Sequence, residues 1–84
     1  MTVIKNSLDW NNLETSLLHK TIGLGHEREV KKMIENIRAE VTALSKAEVE
    51  ARQGRKHHAE ELLIRVNQDI EMVEEYLLVA ALLG

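Results

Sequence analysis

The sequence predicts an all-α protein in which a short amino-terminal helix precedes a long antiparallel αα-hairpin. Three observations favour this fold class. Hydrophobic residues make up 44% of the chain but aromatic residues only 2%, so the core must be aliphatic, as in helix packing. Proline is absent and glycine occurs only four times among 84 residues, which leaves few turn-forming residues for a β architecture. Apolar residues also recur at helical spacing over two long stretches.

The first helix is predicted at about residues 8–21, because Ser7 or Asp9 can cap its start and Gly23 and Gly25 follow its end. Its apolar residues fall on two faces, with Trp10, Leu13 and Leu17 on one and Leu8, Leu18 and Ile22 on the other. A helix with two apolar faces packs against two neighbours. We therefore expect this helix to contact more than one element.

The middle helix is predicted at about residues 26–53. Its apolar residues keep within a narrow stripe at 100° per residue, while charged residues fill the other positions, which is the pattern of an amphipathic helix. The residues of the stripe are Val30, Met33, Ile34, Ile37, Val41, Leu44, Ala47 and Ala51.

The last helix is predicted at about residues 57–83, where the same pattern returns, and Gly54 is the natural corner between the two. One continuous helix is the alternative, since a glycine inside a helix costs only about 1 kcal/mol and the two stripes stay in phase. We favour the corner because Gly54 separates two arms of similar length, each about 28 residues or 42 Å. Their apolar stripes can then cover each other.

The end of the last helix carries more apolar residues than a hairpin can bury. Residues 76–83 are apolar on every side, and in an antiparallel hairpin they lie beside the start of the middle helix, near the short first helix. We therefore expect a helical bundle completed by self-association or by a partner protein, and the sequence does not separate a homo-oligomer from a heterocomplex. The candidate partner-binding residues are Leu13, Leu17, Leu18, Ile22, Tyr76, Leu78, Val79 and Leu82.

Charge is distributed unevenly along the chain. The net charge is −3, but residues 59–84 carry six acids and one base, Arg65, a net charge of −5, which argues against extensive nucleic-acid binding. The cationic and imidazole residues at the corner form the one candidate site for an anionic partner: Arg52, Arg55, Lys56, His57 and His58. We favour a solvated turn whose charges match the helix dipoles. A dimeric helical-bundle regulator that binds nucleic acid through this tip is the alternative function.

No combination of residues predicts catalysis, a cofactor or a metal site. Cysteine is absent, and adjacent helical residues such as His57 and His58 project about 100° apart rather than towards one ligand. His26-Glu27 begins like a zinc-protease motif, but Val30 stands where the second histidine would be. The sequence therefore predicts a protein that is not an enzyme.

The compartment and domain organisation follow from length and hydropathy. The first residues lack the apolar stretch of a secretory signal, and the longest apolar run, at residues 76–83, is well short of the roughly 18 residues that cross a bilayer. We expect one helical domain over residues 1–84 that resides in the cytoplasm and does not enter a membrane.

The pattern Leu13-Glu14-x-x-Leu17-Leu18, the polar-faced middle helix, the Gly54 corner and the aliphatic last helix resemble the small YscE/SsaE-type proteins of type III secretion. The resemblance covers about residues 10–80 and consists of pattern and size. It implies a cytoplasmic co-chaperone that helps a larger helical-repeat partner keep the needle subunit soluble. The residues carried over are the aliphatic Leu13, Leu17 and Leu18, and the histidines near the corner lie outside it.

Overall fold

The computed structural model describes residues 3–83, so the terminal residues of the predicted 1–84 domain lie outside it. It contains three helices, α1 (Asp9–Thr21), α2 (Glu27–Ala51) and α3 (Lys56–Leu83), against predicted bounds of 8–21, 26–53 and 57–83. All regular secondary structure of the described residues is helical, which confirms the predicted all-α class. The structure is elongated, 48 × 17 × 16 Å, and no helix within it is long and apolar enough to cross a membrane.

Helices α2 and α3 pack along each other and bury their apolar stripes together. His26, at the start of α2, contacts Tyr76 near the end of α3, and Glu40 in the middle of α2 interacts with Asp69 in the middle of α3. The two helices therefore run in opposite directions. Their buried residues are Val30, Ile34, Ile37, Val41, Leu44 and Ala47 on α2 and Val66, Ile70, Val73, Leu77 and Ala80 on α3.

The chain turns between α2 and α3 at Gly54, which has a φ of +97°. The amide of Gly54 donates to the Ala51 carbonyl at 3.0 Å, and the amide of Arg55 donates to the Glu50 carbonyl at 3.3 Å. These are the two hydrogen bonds of a Schellman motif, which needs a left-handed residue at this position. Glycine adopts that conformation without the steric cost of a Cβ atom, so the turn has a local cause in the sequence.

Helix α1 covers one side of the α2–α3 pair and contacts both helices. Its buried face consists of Trp10, Leu17 and Thr21. Arg38 of α2 donates through Nε to Glu14 at 2.8 Å, which holds the exposed edge of α1. Helix α1 therefore contacts two neighbours as expected, but it does so through one face, and Leu8 and Ile22 of the second predicted face remain exposed at 75% and 72%.

The segment before α1 also joins the core. Ile4 is buried, and its amide donates to Oδ1 of Asn67 at 2.8 Å while Nδ2 of Asn67 donates to the Ile4 carbonyl at 3.1 Å. Neither predicted cap of α1 is observed: the Ser7 amide donates to Glu48, Oδ2 of Asp9 accepts from the Lys5 amide, and the side chain of Leu8, which precedes α1, makes no capping hydrogen bond. Asn6 takes part of that role, since its Oδ1 accepts from the Asp9 amide at 3.1 Å.

Candidate functional site

The eight residues predicted to bind a partner occupy different environments. Four of them are largely exposed: Ile22 at 72%, Leu78 at 62%, Val79 at 51% and Leu82 at 77%. Leu13, Leu18 and Tyr76 are partly buried against the core. Leu17 is completely buried, so it stabilises the fold and is not open to a partner.

A groove of about 430 Å³ lies between the end of α1 and the end of α3. Its walls are aliphatic apart from one cation on α1 and one anion on α3, and the residues that line it are Leu17, Lys20, Leu24, Glu74, Leu77, Leu78 and Ala81. Leu82 follows Leu78 by one helical turn, so the two side chains lie on the same face of α3. We call Leu24, Leu78, Ala81 and Leu82 the end surface.

Two residues of the end surface were not predicted from the sequence. Leu24 lies between Gly23 and Gly25, which were predicted only to follow the end of the first helix, and nothing local indicates that its side chain packs against the core. Ala81 falls within the apolar stripe of the last helix that was predicted to pack on the middle helix, but it is exposed and lines the groove. Only the folded arrangement places both at the groove.

Other large apolar side chains are exposed away from the end surface. Val49 on α2 is 55% exposed, and Ile64 on α3 is 60% exposed. Ile64 precedes Leu78 by 14 residues, about 21 Å along the helix. It therefore offers a matched control for substitutions at the end surface, because its residue type and exposure are similar.

Acidic residues adjoin the end surface on α3. Glu75 precedes Leu78 by three positions and Leu82 by seven, and Glu71 precedes Leu78 by seven, so helical geometry places these residues on one face. Glu75 is exposed and Glu71 is partly exposed. Within residues 3–83, no ion pair joins either carboxylate to a cation, whereas Glu74 already interacts within the chain.

A second acidic pair lies at the seam between α2 and α3. The pKa of Glu40 is raised from its ordinary value of 4.5 to about 7, and the largest cause is burial. A hydrogen bond with Asp69 and charge repulsion from Asp69 raise the pKa further, whereas the positive charge of Arg65 lowers it. Glu40 Oε1 is buried and accepts no hydrogen bond from the described residues. A protonated Glu40 can instead donate to Asp69, which explains why the neutral form is favoured.

We expect this pair to make stability depend on pH. Because the pKa of Glu40 is higher in the folded chain than in the unfolded chain, its contribution is fully present below about pH 4.5 and is lost as pH rises through about 7. The free energy of unfolding should therefore fall by about 1–2 kcal/mol between pH 5.5 and 8. This is less than the free energy that corresponds to the whole pKa shift, because Glu40 is partly solvated. Urea unfolding followed by circular dichroism at several pH values measures it.

Glu40→Gln tests this prediction, and Glu35→Gln is its matched control. Glu40→Gln should abolish most of the pH dependence, whereas Glu35→Gln, at an exposed position of the same helix, should retain it. An equal slope in wild type and Glu40→Gln would show that Glu40 does not cause the dependence.

The residues of the cationic tip at the corner are exposed, and acidic residues lie on the same surface. Nε2 of His57 lies 2.8 Å from a carboxylate oxygen of Glu61, and a shallow cleft of about 370 Å³ at the tip is lined by Glu50 as well as Glu61. The residues of the tip that line this cleft are Arg55, Lys56, His57 and His58, whereas Arg52 does not line it. The carboxylates offset the positive charge of the tip. Binding of an anionic partner at the tip therefore stays a prediction, and the geometry of the tip does not support it.

The histidines of the described chain do not assemble into a metal centre. Across residues 3–83, no three side chains of the metal-binding types lie close enough to hold an ion together. His26 packs its ring edge-to-face against Tyr76, with the ring centres 5.7 Å apart and the Tyr76 hydroxyl 3.2 Å from Nδ1. Its observed role is to join the start of α2 to α3.

Comparisons with protein-family models, with curated proteins and with solved structures gave no match for this chain. Its function is therefore inferred from its own exposed residues. Among these, the end surface combines a groove with large aliphatic side chains that remain open to solvent.

Proposed function

We propose that this protein is a small non-enzymatic adaptor, co-chaperone or regulator that acts by protein–protein association through the end surface. The observation that carries the proposal is the exposure of Leu78 and Leu82 beside the groove between α1 and α3. Contiguous exposed apolar side chains next to a groove mark interaction sites more often than isolated ones do. Association would complete the helical bundle that the hairpin and α1 begin.

Energetics supports a partner that covers this surface and also fills the groove. Complete burial of a leucine or isoleucine side chain contributes about 1.5–3 kcal/mol. For Leu78 and Leu82, the two large residues of the end surface that are more than half exposed, this amounts to roughly 2–4 kcal/mol. Association costs about 4–15 kcal/mol in lost translational and rotational freedom, so further contacts in the groove are needed for specific binding.

The double variant Leu78→Asp/Leu82→Asp tests the proposal. We expect it to abolish association, because each aspartate would place a charge in an interface that excludes water. Sedimentation velocity measures self-association, and co-purification from a lysate of the source cells measures binding of other proteins. Leu18→Asp is less informative, because Leu18 packs against the core and its substitution would also weaken the fold.

The control is Ile64→Asp, which places one aspartate at a position of α3 that is about as exposed as Leu78. It should leave association unchanged, and circular dichroism should show equal helix content in all variants. Association that survives the double variant, or that Ile64→Asp removes equally well, would exclude the end surface as the binding site.

The YscE/SsaE-type role is the most specific form of this proposal. In that role the partner would be a helical-repeat protein in the cytoplasm, and the chain would keep it competent to hold a needle subunit. Of the residues that the resemblance carries over, Leu13 and Leu18 are partly buried and Leu17 is completely buried, so these three would act chiefly by holding α1 in place. The exposed contacts would then come from α3.

A further inference from the structure

We propose that the groove between α1 and α3 binds an amphipathic helix of another protein whose apolar stripe is flanked by lysine or arginine. This inference rests on the proposed function, because it names the kind of partner that occupies the same surface. The groove is open and lined mainly by aliphatic side chains, and its volume of about 430 Å³ suits a few leucine-sized side chains of such a helix.

The preference for a basic partner comes from α3. Beyond Arg65, the helix carries only acidic charges, and Glu71 and Glu75 lie on the face that continues into Leu78 and Leu82. Neither has an ion-pair partner within residues 3–83. A helix that places leucines over the end surface would extend over these carboxylates, where its own cations would pair with them and anions would be repelled.

A second copy of this chain is a poorer occupant. A symmetric dimer brings the same surface of both subunits together, so each copy would contribute the carboxylates of Glu71 and Glu75, whereas the lining of the groove supplies one cation, Lys20. The like charges would oppose the apolar contact. A partner of opposite charge gains from the same carboxylates, which is why we favour a different protein over self-association.

Two synthetic peptides of about 18 residues test the inference by fluorescence anisotropy. Both have the same leucine stripe at helical spacing, but one has lysines beside the stripe and the other glutamates. We expect the lysine peptide to bind more tightly than the glutamate peptide, and this difference should shrink at high salt, where exposed charges are screened. Glu75→Lys should weaken binding of the lysine peptide about 3- to 10-fold.

Glu60→Lys is the matched control, because it makes the same charge change at another exposed position of α3 that is remote from the groove. It should change the affinity less than 2-fold, roughly the scatter expected for a distant surface charge. Leu78→Asp should abolish binding of the lysine peptide. Equal affinity for both peptides, no binding of either, or equal weakening by Glu60→Lys and Glu75→Lys would overturn the basic-helix inference.

The outcomes also separate this inference from the proposed function. If the chain dimerises and Leu78→Asp abolishes the dimer, the occupant is a second copy; the basic-helix inference then fails, but association through the end surface stands. If neither peptide binds and Leu78→Asp/Leu82→Asp changes no association, both proposals fail.

Discussion

Replacing Trp10 with alanine should lower the free energy of unfolding by about 3–5 kcal/mol. Trp10 has the largest side chain among the completely buried residues and anchors α1 to the hairpin. A chain of this size has a total stability of about 4–13 kcal/mol, so the loss would be a large part of it. Urea unfolding followed by circular dichroism measures the change, since the substitution removes the tryptophan fluorescence.

The control is Trp10→Phe. Nε1 of Trp10 is buried and has no hydrogen-bond acceptor among the described residues. Phenylalanine therefore removes an unsatisfied donor and keeps most of the apolar contact, so we expect it to cost less than about 1.5 kcal/mol. A loss in Trp10→Phe as large as that in Trp10→Ala would mean that the indole N–H has a partner after all.

Replacing Leu17 with alanine should lower the free energy of unfolding by about 2–5 kcal/mol. Leu17 is completely buried between α1 and the end of α3, and its truncation would leave a cavity next to the groove. Leu78→Ala should cost less than about 1 kcal/mol, because Leu78 is already 62% exposed. Chemical denaturation of both variants measures the difference.

Comparing Leu17→Ala with Leu78→Ala distinguishes a core residue from a surface residue among the eight residues predicted to bind a partner. Binding of a partner should show the reverse order in variants that remain folded, with Leu78→Ala weakening it more than Leu17→Ala. Equal losses of stability in the two variants would contradict the placement of Leu17 in the core and Leu78 on the surface.

The helices and the corner were predictable because their causes are local. The apolar stripe of α2 repeats within each turn, and Gly54 is the one residue between the two stripes that adopts a left-handed conformation without strain. The segment before α1 was not predictable in this way. The pairs Ile4–Asn67 and Ser7–Glu48 join residues far apart in sequence, and no local pattern specifies which side chain they meet.

The candidate site was predictable only in part. Residues 76–83 are apolar all round, which indicates surplus surface, and the structure does leave Leu78 and Leu82 exposed. The sequence could not decide which face of α1 would dock, because both faces are apolar, so Leu17 was assigned to the partner when it belongs to the core. The Glu40–Asp69 pair depends on the alignment of α2 with α3, which single-helix patterns do not specify.

The end surface exists only if the chain reverses at Gly54 and returns the end of α3 to α1. Spin labels at the exposed positions Arg28 and Glu75, measured by double electron–electron resonance in the full chain, test this directly. Packed antiparallel helices have axes about 8–10 Å apart, so with the label linkers we expect a separation of about 15–25 Å. A continuous helix would separate the same labels by about 70 Å, and that result would contradict the reversal and remove the groove with it.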